Sequence, residues 1–372
     1  MEDWSMPYVN LKPIIDHMLK QSEHVSDLNF SVNCPPQVEI NGELFPVNIK
    51  GLPVLTAYHT EIIAMTLLGG NKDAAEKLIR NGSVDLSFSV SGWNRFRVNV
   101  FLQRGTISVV MRVVLSDIPS LESLGLPTQL GSISTLKNGI VLITGPSGSG
   151  KSSTLAALVD KINQERSYHI VTIEDPIEFL HTRKRSTINQ RELGSDTPNF
   201  AVALRAALRQ SPKVILVGEM RDLETTEIAL EAAETGHLVL STLHTTDASK
   251  TIDRLIGLFP KAEERVIRVR LAQAFQFIVS QRLIPKAKGG GRIAAVEILK
   301  STPRTREYIE KGESQGKTLL DAMQDGNLEG MQHFDQVIER YIRTGMVTRE
   351  DGLSFATNPH NLELKLAGLG AG

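Results

Sequence analysis

Residues 145–152 have the types and spacing of a phosphate-binding loop. They read Gly-Pro-Ser-Gly-Ser-Gly-Lys-Ser, the pattern G-x-x-x-x-G-K-S. Glycines are needed because backbone N–H groups must turn towards an anion, and a following helix N-terminus adds positive potential there. We expect the Lys151 ammonium to reach the phosphates of a nucleotide and the Ser152 hydroxyl to bind Mg²⁺. An apolar run at 139–144 and a helical pattern at 153–159 argue against a mobile surface loop.

This loop and the start of the helix supply the predicted nucleotide contacts. The predicted nucleotide-binding residues are Gly145, Ser147, Gly148, Ser149, Gly150, Lys151, Ser152 and Ser153.

Acidic residues follow two of the other apolar runs. Glu219 comes after the run at 213–217, where an acid holds Mg²⁺ in phosphate-loop enzymes, so Ser152 and Glu219 are the predicted metal ligands. Asp222 is assigned to capping the helix that starts at Leu223.

Three carboxylates follow the run at 169–173. They are Glu174, Asp175 and Glu178, and a general base for an attacking water is their natural role. Spacing alone does not choose among the three, and a solvated acidic turn is the alternative.

Two histidines flank the apolar run at 238–242. His244 follows it and is predicted to contact the terminal phosphate, whereas His237 precedes it. Four arginines share the last predicted strands of the amino-terminal third, where a solvated basic face is the alternative to a functional role. These four are Arg95, Arg97, Arg104 and Arg112. Arg205 and Arg209 lie one turn apart and share a helix face.

The pattern of the elements divides the chain in two. Residues 1–113 predict a small α+β domain, with a hairpin turn at Asn41-Gly42, a helix at 56–68 and further turns at Ser91-Gly92 and Arg104-Gly105. We expect a linker at 114–120 and an α/β domain at 121–372.

Apolar strands in the second part are predicted at 140–144, 169–173, 213–217 and 238–242, with helices between them. This alternation predicts a mostly parallel sheet whose strand ends line one crevice. A long amphipathic helix is expected at 263–283, and residues 355–372 are expected to be weakly ordered.

The amino-acid composition limits the classes of function that the chain could have. The formal net charge is −1, so no overall basic field recruits nucleic acid, and we predict no nucleic-acid partner. Cys34 is the single cysteine, which excludes an internal disulfide and a Cys-rich zinc site and suits the cytosol. Residues 1–4 show neither a basic nor an apolar signal region, so we expect no signal peptide, and no apolar run reaches the length of a membrane span.

Four ordered motifs resemble those of the secretion and type IV pilus ATPases, and among them the retraction ATPases of the PilT/PilU family. They lie at 145–154, 172–179, 216–222 and 235–247, and the similarity covers nearly the whole chain. The resemblance implies a PAS-like amino-terminal domain, a RecA-like ATPase domain and a six-subunit ring. It implies a cytoplasmic motor that hydrolyses ATP with Mg²⁺ to power pilus retraction and twitching motility.

The resemblance also implies residue roles and partners. Glu178 matches the acid that polarises water, Glu219 the metal-binding acid, and His237 and His244 the two histidines of the last motif. Arg97 and Arg112 match arginines of the amino-terminal domain that complete the nucleotide site. The implied partners are an inner-membrane platform protein, at whose cytoplasmic face the ring would dock without inserting into the membrane, and a paralogous retraction ATPase.

Two differences from the superfamily bear on the particular function. Extension and secretion ATPases carry a four-cysteine zinc insert after the segment matching 281–283, and a short loop at 284–292 stands there instead. This favours retraction. The segment 304–311 departs from the retraction signature, so an accessory subunit that supports a partner motor stays open beside a stand-alone motor.

Overall fold

The computed structural model of the chain describes residues 10–90, 94–114 and 117–368. They fall into two compact units. The first takes in Met1–Asp117 with Glu178–Leu180, and the second Ile118–Ile177 with His181–Gly372. The domain boundaries drawn from the sequence stay a prediction. Residues 1–4, the turn at Ser91-Gly92 and linker residues 115–116 lie outside the described residues.

The first unit is built on a six-stranded antiparallel sheet with the order β3-β2-β1-β6-β5-β4. Its strands are β1 (Val25–Phe30), β2 (Gln37–Ile40), β3 (Glu43–Pro46), β4 (Ser83–Val90), β5 (Asn94–Gln103) and β6 (Thr106–Val114). Its described helices are α1 (Leu11–Leu19), α2 (Ala57–Leu68) and α3 (Lys72–Asn81). Alternate strand residues such as Leu28, Phe96 and Met111 are fully buried against the helices. The α+β expectation for this part is confirmed.

Local turn chemistry determines where these elements end. Asn41 and Gly42 join β2 to β3 with φ of 54° and 88°, as the Asn-Gly signal predicts. Gly82 ends α3 with φ of 78°. Arg104 and Gly105 turn β5 into β6, and Arg104 takes a φ of 48°, which is uncommon for a residue with a side chain.

The second unit is built on a seven-stranded sheet with the order β13-β12-β7-β11-β10-β8-β9. Its strands are β7 (Gly139–Thr144), β8 (His169–Glu174), β9 (Thr187–Glu192), β10 (Val214–Val217), β11 (Leu238–Leu243), β12 (Phe275–Pro285) and β13 (Arg292–Lys300). All pairings are parallel except that of β12 with β13. The predicted parallel α/β architecture is confirmed, and its four predicted strands form the centre of the sheet.

Helices cover this sheet. They are α4 (Lys151–Glu165), α5 (Phe200–Ala207), α6 (Leu223–Glu234), α7 (Ala248–Ile256), α8 (Glu264–Ala274), α9 (Pro303–Lys311), α10 (Leu319–Asp325), α11 (Phe334–Arg343), α12 (Arg349–Phe355) and α13 (Pro359–Leu366). A 3-10 helix, Thr128–Thr135, precedes β7. No helix within the described ranges combines the length and apolar character needed to cross a membrane.

The expected long helix at 263–283 is wrong. Helix α8 ends at Ala274, and the residues from Phe275 onwards form β12, which pairs with β7 on one side and β13 on the other. Both faces of β12 are buried, so its apolar residues do not alternate and resemble a buried helix in sequence.

The expected weak order at 355–372 is also wrong for most of that segment. Helix α13 is capped by Asn358, whose side chain accepts a hydrogen bond from the Asn361 N–H. Leu362 of this helix is 1% exposed and joins the cluster formed with α11. The last part of the expectation, 369–372, lies outside the described residues.

Candidate nucleotide-binding and catalytic site

The phosphate-binding loop connects β7 to α4 in the second unit. Gly145, Gly148 and Gly150 have φ of 143°, 76° and 90°, which only glycine adopts without strain. A Cβ at Gly145 would lie 2.5 Å from the backbone oxygen of Gln281 and 2.6 Å from Ser149 Oγ. Strand β12 therefore packs directly against the start of the loop, and glycine is a steric requirement there.

The loop has the features of an anion cradle. Gly150 is the N-cap of α4 and makes no side-chain capping bond. Ser149 Oγ is buried and has no hydrogen-bond partner among the described residues. Unsatisfied N–H groups at a helix start, next to a buried hydroxyl without a partner, are what a phosphate group would satisfy.

Lys151 is held within this loop. It is 9% exposed, and its Nζ donates to the backbone oxygens of Gly145 at 2.8 Å and Pro146 at 3.0 Å. Burial lowers the pKa of Lys151, and the negative charge of Glu219 partly opposes that shift. Both hydrogen-bond acceptors are neutral, so anionic phosphate oxygens would be stronger partners for the same ammonium.

Glu219 and His244 lie together at the carboxyl ends of β10 and β11. Glu219 is 8% exposed, and its Oε2 contacts Arg221 Nε and lies 3.6 Å from His244 Nε2. Neither contact has the geometry of a hydrogen bond. The carboxylate therefore keeps acceptor capacity for a hydrated cation, which is the ligand chemistry that Mg²⁺ prefers.

The structure brings Lys151, Ser152, Glu219 and His244 to one end of the second unit's sheet, beyond the carboxyl ends of β7, β10 and β11. Asp222 and His237 are engaged in other contacts. Asp222 caps α6 and accepts from Thr225 N at 2.8 Å, as predicted. His237 precedes β11 at the opposite end of the strand, where its Nδ1 lies 2.9 Å from the backbone oxygen of Ala232.

The three acids after β8 have different environments. Glu174 accepts hydrogen bonds from Thr172 Oγ1 at 2.6 Å and from Gln190 Nε2 at 3.2 Å, so it is engaged within the sheet. Asp175 is exposed. Glu178 belongs to the first unit, where its Oε1 pairs with an Arg97 guanidinium nitrogen.

The first unit groups the other predicted catalytic residues. Arg97 and Arg112 lie directly opposite each other on β5 and β6. Arg112 Nε donates to the buried carboxylate of Asp27 at 2.9 Å. A cavity of about 260 Å³ is lined by both arginines together with Glu178 and Phe179. These two arginines therefore make specific ion pairs rather than forming a uniformly solvated face.

Arg205 and Arg209 lie elsewhere, on the exposed surface of the second unit. Arg205 pairs with Glu224 at 2.7 Å, and Arg209 donates to the backbone oxygen of Arg205. The structure gives them no contact with the phosphate-binding loop.

Sequence reasoning missed Gln281, which supports the loop from β12. Its backbone oxygen packs on Gly145, and its side chain exchanges hydrogen bonds with Thr154 of α4 at 2.8 and 3.2 Å. A cavity of about 480 Å³ is lined by loop residues 146–149, by the next residue of β12, Arg282, and by residues 354–357. The signal in the sequence was the polar triplet 280–282 inside an otherwise apolar run.

Fold and site together define a P-loop ATPase with a mostly parallel α/β sheet and an amino-terminal α+β unit. The chain belongs to the Type II/IV secretion system protein family, whose model matches residues 55–348.

Relatives and solved structures agree with this family. The chain is 43% identical to the type IV pilus retractation ATPase PilT of Pseudomonas aeruginosa over 90% of this chain and 95% of that protein. It is 37% identical to the type IV pilus ATPase PilU of the same organism over 92% of this chain and 87% of that protein. A crystal structure of the pilus retraction motor PilT with bound ADP matches with a TM-score of 0.83 and 42% identity, covering 95% of this chain and 99% of that one. The resemblance inferred from the four motifs is confirmed.

Proposed function

We propose that this chain is the motor ATPase of type IV pilus retraction, binding and hydrolysing ATP with Mg²⁺ to drive pilin disassembly and twitching motility. The observation that carries the proposal is the match to PilT at 43% identity over 90% of this chain, together with a complete phosphate-binding loop. The φ angles of the loop glycines support nucleotide binding, as does Ser149 Oγ, which has no hydrogen-bond partner in the part of the chain that the structure describes. The spare acceptor capacity of Glu219 supports the metal.

In this proposal the loop residues hold the triphosphate. The backbone N–H groups of residues 147–153 surround it, and the Lys151 ammonium exchanges its two carbonyl acceptors for phosphate oxygens. Ser152 and Glu219 would hold Mg²⁺, which neutralises phosphate charge when bound. His244, whose Nε2 lies 3.6 Å from Glu219 Oε2, would contact the terminal phosphate.

Glu178 orients the attacking water and accepts its proton, while Arg97 and Arg112 offset the negative charge that builds up on the transferred group. The Arg97 guanidinium occupies an oxygen of the Glu178 carboxylate, so in this proposal the Arg97–Glu178 ion pair opens before Glu178 engages the attacking water. In this proposal the ion pair is present in the resting arrangement of these residues and absent in the reacting one.

The assembly in this proposal is a six-subunit ring in the cytoplasm. It docks at the cytoplasmic face of the inner membrane on a platform protein of the pilus machine, and a paralogous ATPase is a further partner. PilT and PilU of Pseudomonas aeruginosa are the similar proteins that suggest such a pair.

The test is complementation. In a strain deleted for this gene, the wild-type gene restores pilus retraction measured by fluorescence microscopy of labelled pili, and the Lys151→Ala gene does not. Retraction that persists unchanged in the deletion strain would contradict the proposal.

An accessory role is the second candidate, because the match to PilU covers 92% of the chain and the segment 304–311 departs from the retraction signature. The two candidates differ in a purified system. A stand-alone motor hydrolyses ATP by itself, whereas an accessory subunit needs the paralogous ATPase for turnover and for retraction in cells.

A further inference from the structure

Strand β9 carries two polar side chains that hold the backbone on both sides of Glu178. The Oε2 of Glu192 accepts a hydrogen bond from the Ile177 N–H at 3.0 Å. The Oε1 of Gln190 accepts one from the His181 N–H at 2.9 Å. Ile177 and His181 are the last and first residues of the second unit where the chain leaves it and returns, so the intervening segment is tied at both ends.

These two side chains lie on the same side of the strand, because residues two apart in a strand face the same way. Glu192 is 5% exposed and Ile177 is 1% exposed, so the bond between them is shielded from water. A buried N–H that loses its acceptor is costly, which makes this contact a strong restraint on the backbone.

The hydrogen bond from the His181 N–H to Gln190 Oε1 is supported by further hydrogen bonds of the Gln190 side chain. Gln190 Nε2 donates to Glu174 Oε1 at 3.2 Å, and the same oxygen accepts from Thr172 Oγ1 at 2.6 Å. The Gln190 amide is therefore oriented with its oxygen towards the His181 N–H by a chain of bonds that starts on β8. Such linked bonds restrict rotation of the amide.

We propose that Gln190 and Glu192 are positioning residues for the reaction. They fix the two ends of the segment that bears Glu178, and so restrict the position from which Glu178 acts on the attacking water. The inference rests on the proposed function, because it assigns the two residues a role through Glu178. Neither residue needs to touch the nucleotide. Errors of about 1 Å in the position of a reacting group cost about 100-fold in rate, so the restraint has a measurable consequence.

The variants Glu192→Ala and Gln190→Ala remove the two acceptors, and Glu192→Gln is the conservative variant because its amide oxygen still accepts from the Ile177 N–H. Asn189→Ala is the matched control. Asn189 directly precedes Gln190 on β9, is exposed, and bonds to His169 Nε2 at 2.9 Å instead of to the Glu178 segment.

The first measurement needs no nucleotide. Amide hydrogen exchange of the full chain should quicken at Ile177 in Glu192→Ala and at His181 in Gln190→Ala, by about 10- to 100-fold. Exchange at these amides should stay at the wild-type rate in Asn189→Ala. Unchanged exchange in both alanine variants would overturn the inference.

The second measurement separates kcat from nucleotide affinity. We expect kcat for ATP to fall about 10- to 100-fold in Glu192→Ala and Gln190→Ala, the dissociation constant for ATP to stay within about threefold of wild type, and Glu192→Gln to recover most of the turnover. A fall in affinity with unchanged kcat would mean a different role and would refute the inference.

The third measurement distinguishes failure of the inference from failure of the proposed function. Combined with Glu178→Gln, Glu192→Ala should reduce turnover no further, because the residue it positions has already lost its function. Two independent, multiplying losses would overturn the positioning role. Turnover in Glu178→Gln alone that stays near wild type would instead contradict the catalytic role of Glu178.

Discussion

Replacing Gly145 by alanine tests how tightly β12 constrains the phosphate-binding loop. The new Cβ would lie 2.5 Å from the Gln281 backbone oxygen and 2.6 Å from Ser149 Oγ, where ordinary contacts begin near 3.4 Å. The φ of 143° is also unfavourable for alanine. The Gln281 oxygen belongs to the backbone of β12, where Gln281 is paired with Val296 of β13, and it has no flexible end, so the backbone itself must shift.

The magnitude follows from two contributions. Backbone strain at such an angle costs about 1–2 kcal/mol, and a forced contact in a packed region costs about 1–3 kcal/mol. We therefore expect a loss of about 2–5 kcal/mol in the free energy of unfolding of the second unit. For a unit of this size that corresponds to a drop in melting temperature of roughly 5–15 °C.

Gly148→Ala provides the matched control. Gly148 lies in the same loop with φ of 76°, but a Cβ there would have no atom within 4 Å. Its loss should be limited to strain, about 1–2 kcal/mol. Both variants are measured by thermal and urea unfolding of the full chain, followed by nucleotide titration. Equal losses in the two variants would refute the packing argument, because the neighbouring strand would then impose no constraint of its own.

Three further predictions concern charged residues. Arg97→Ala should reduce ATP turnover by roughly 10³–10⁵ with little change in melting temperature, because its ion pair is partly exposed and contributes about 1 kcal/mol or less to stability. Arg104→Asn is its control, since asparagine tolerates the φ of 48°, and equal turnover in the two variants would favour a simple basic surface. Glu219→Gln should reduce Mg²⁺-dependent turnover by roughly 10²–10³. Asp222→Ala should retain turnover and cost about 1 kcal/mol of stability, because it removes a helix cap. Similar kinetics in the two variants would contradict this division of roles. Burial raises the pKa of Glu297 from 4.5 to about 7, so the folded state holds the proton more tightly. The contribution of Glu297 to stability is therefore fully present below pH 4.5 and is lost as the pH rises through about 7. Glu297→Gln should remove this decrease of the free energy of unfolding with pH, measured by urea unfolding between pH 5 and 8. At pH 8 it should be more stable than wild type by up to about 3 kcal/mol, and an unchanged dependence on pH would refute the assignment to Glu297.

The sequence by itself determined the features that depend on local chemistry. The loop pattern at 145–152 predicted a strand before it and a helix after it, because a nucleotide-binding loop requires both. Glycine and asparagine predicted the turns at 41–42 and 104–105, because few other residues adopt positive φ. Asp222 was recognised as a cap from its place before a helix.

Only the tertiary structure decided the features that depend on neighbours distant in sequence. Residues 275–285 are a strand because β7 and β13 satisfy their backbone on both sides, and an apolar run buried on both faces has no period of its own. Strand β9 is mostly polar, so its role in holding Ile177 and His181 becomes visible only when the strand lies beside β8. The three acids at 174–178 look alike in sequence, and their partners separate them: Glu174 bonds within the sheet, whereas Glu178 pairs with Arg97, about 80 residues earlier in the chain. Long-range pairing of this kind follows from how the chain folds back on itself, and no local pattern records it.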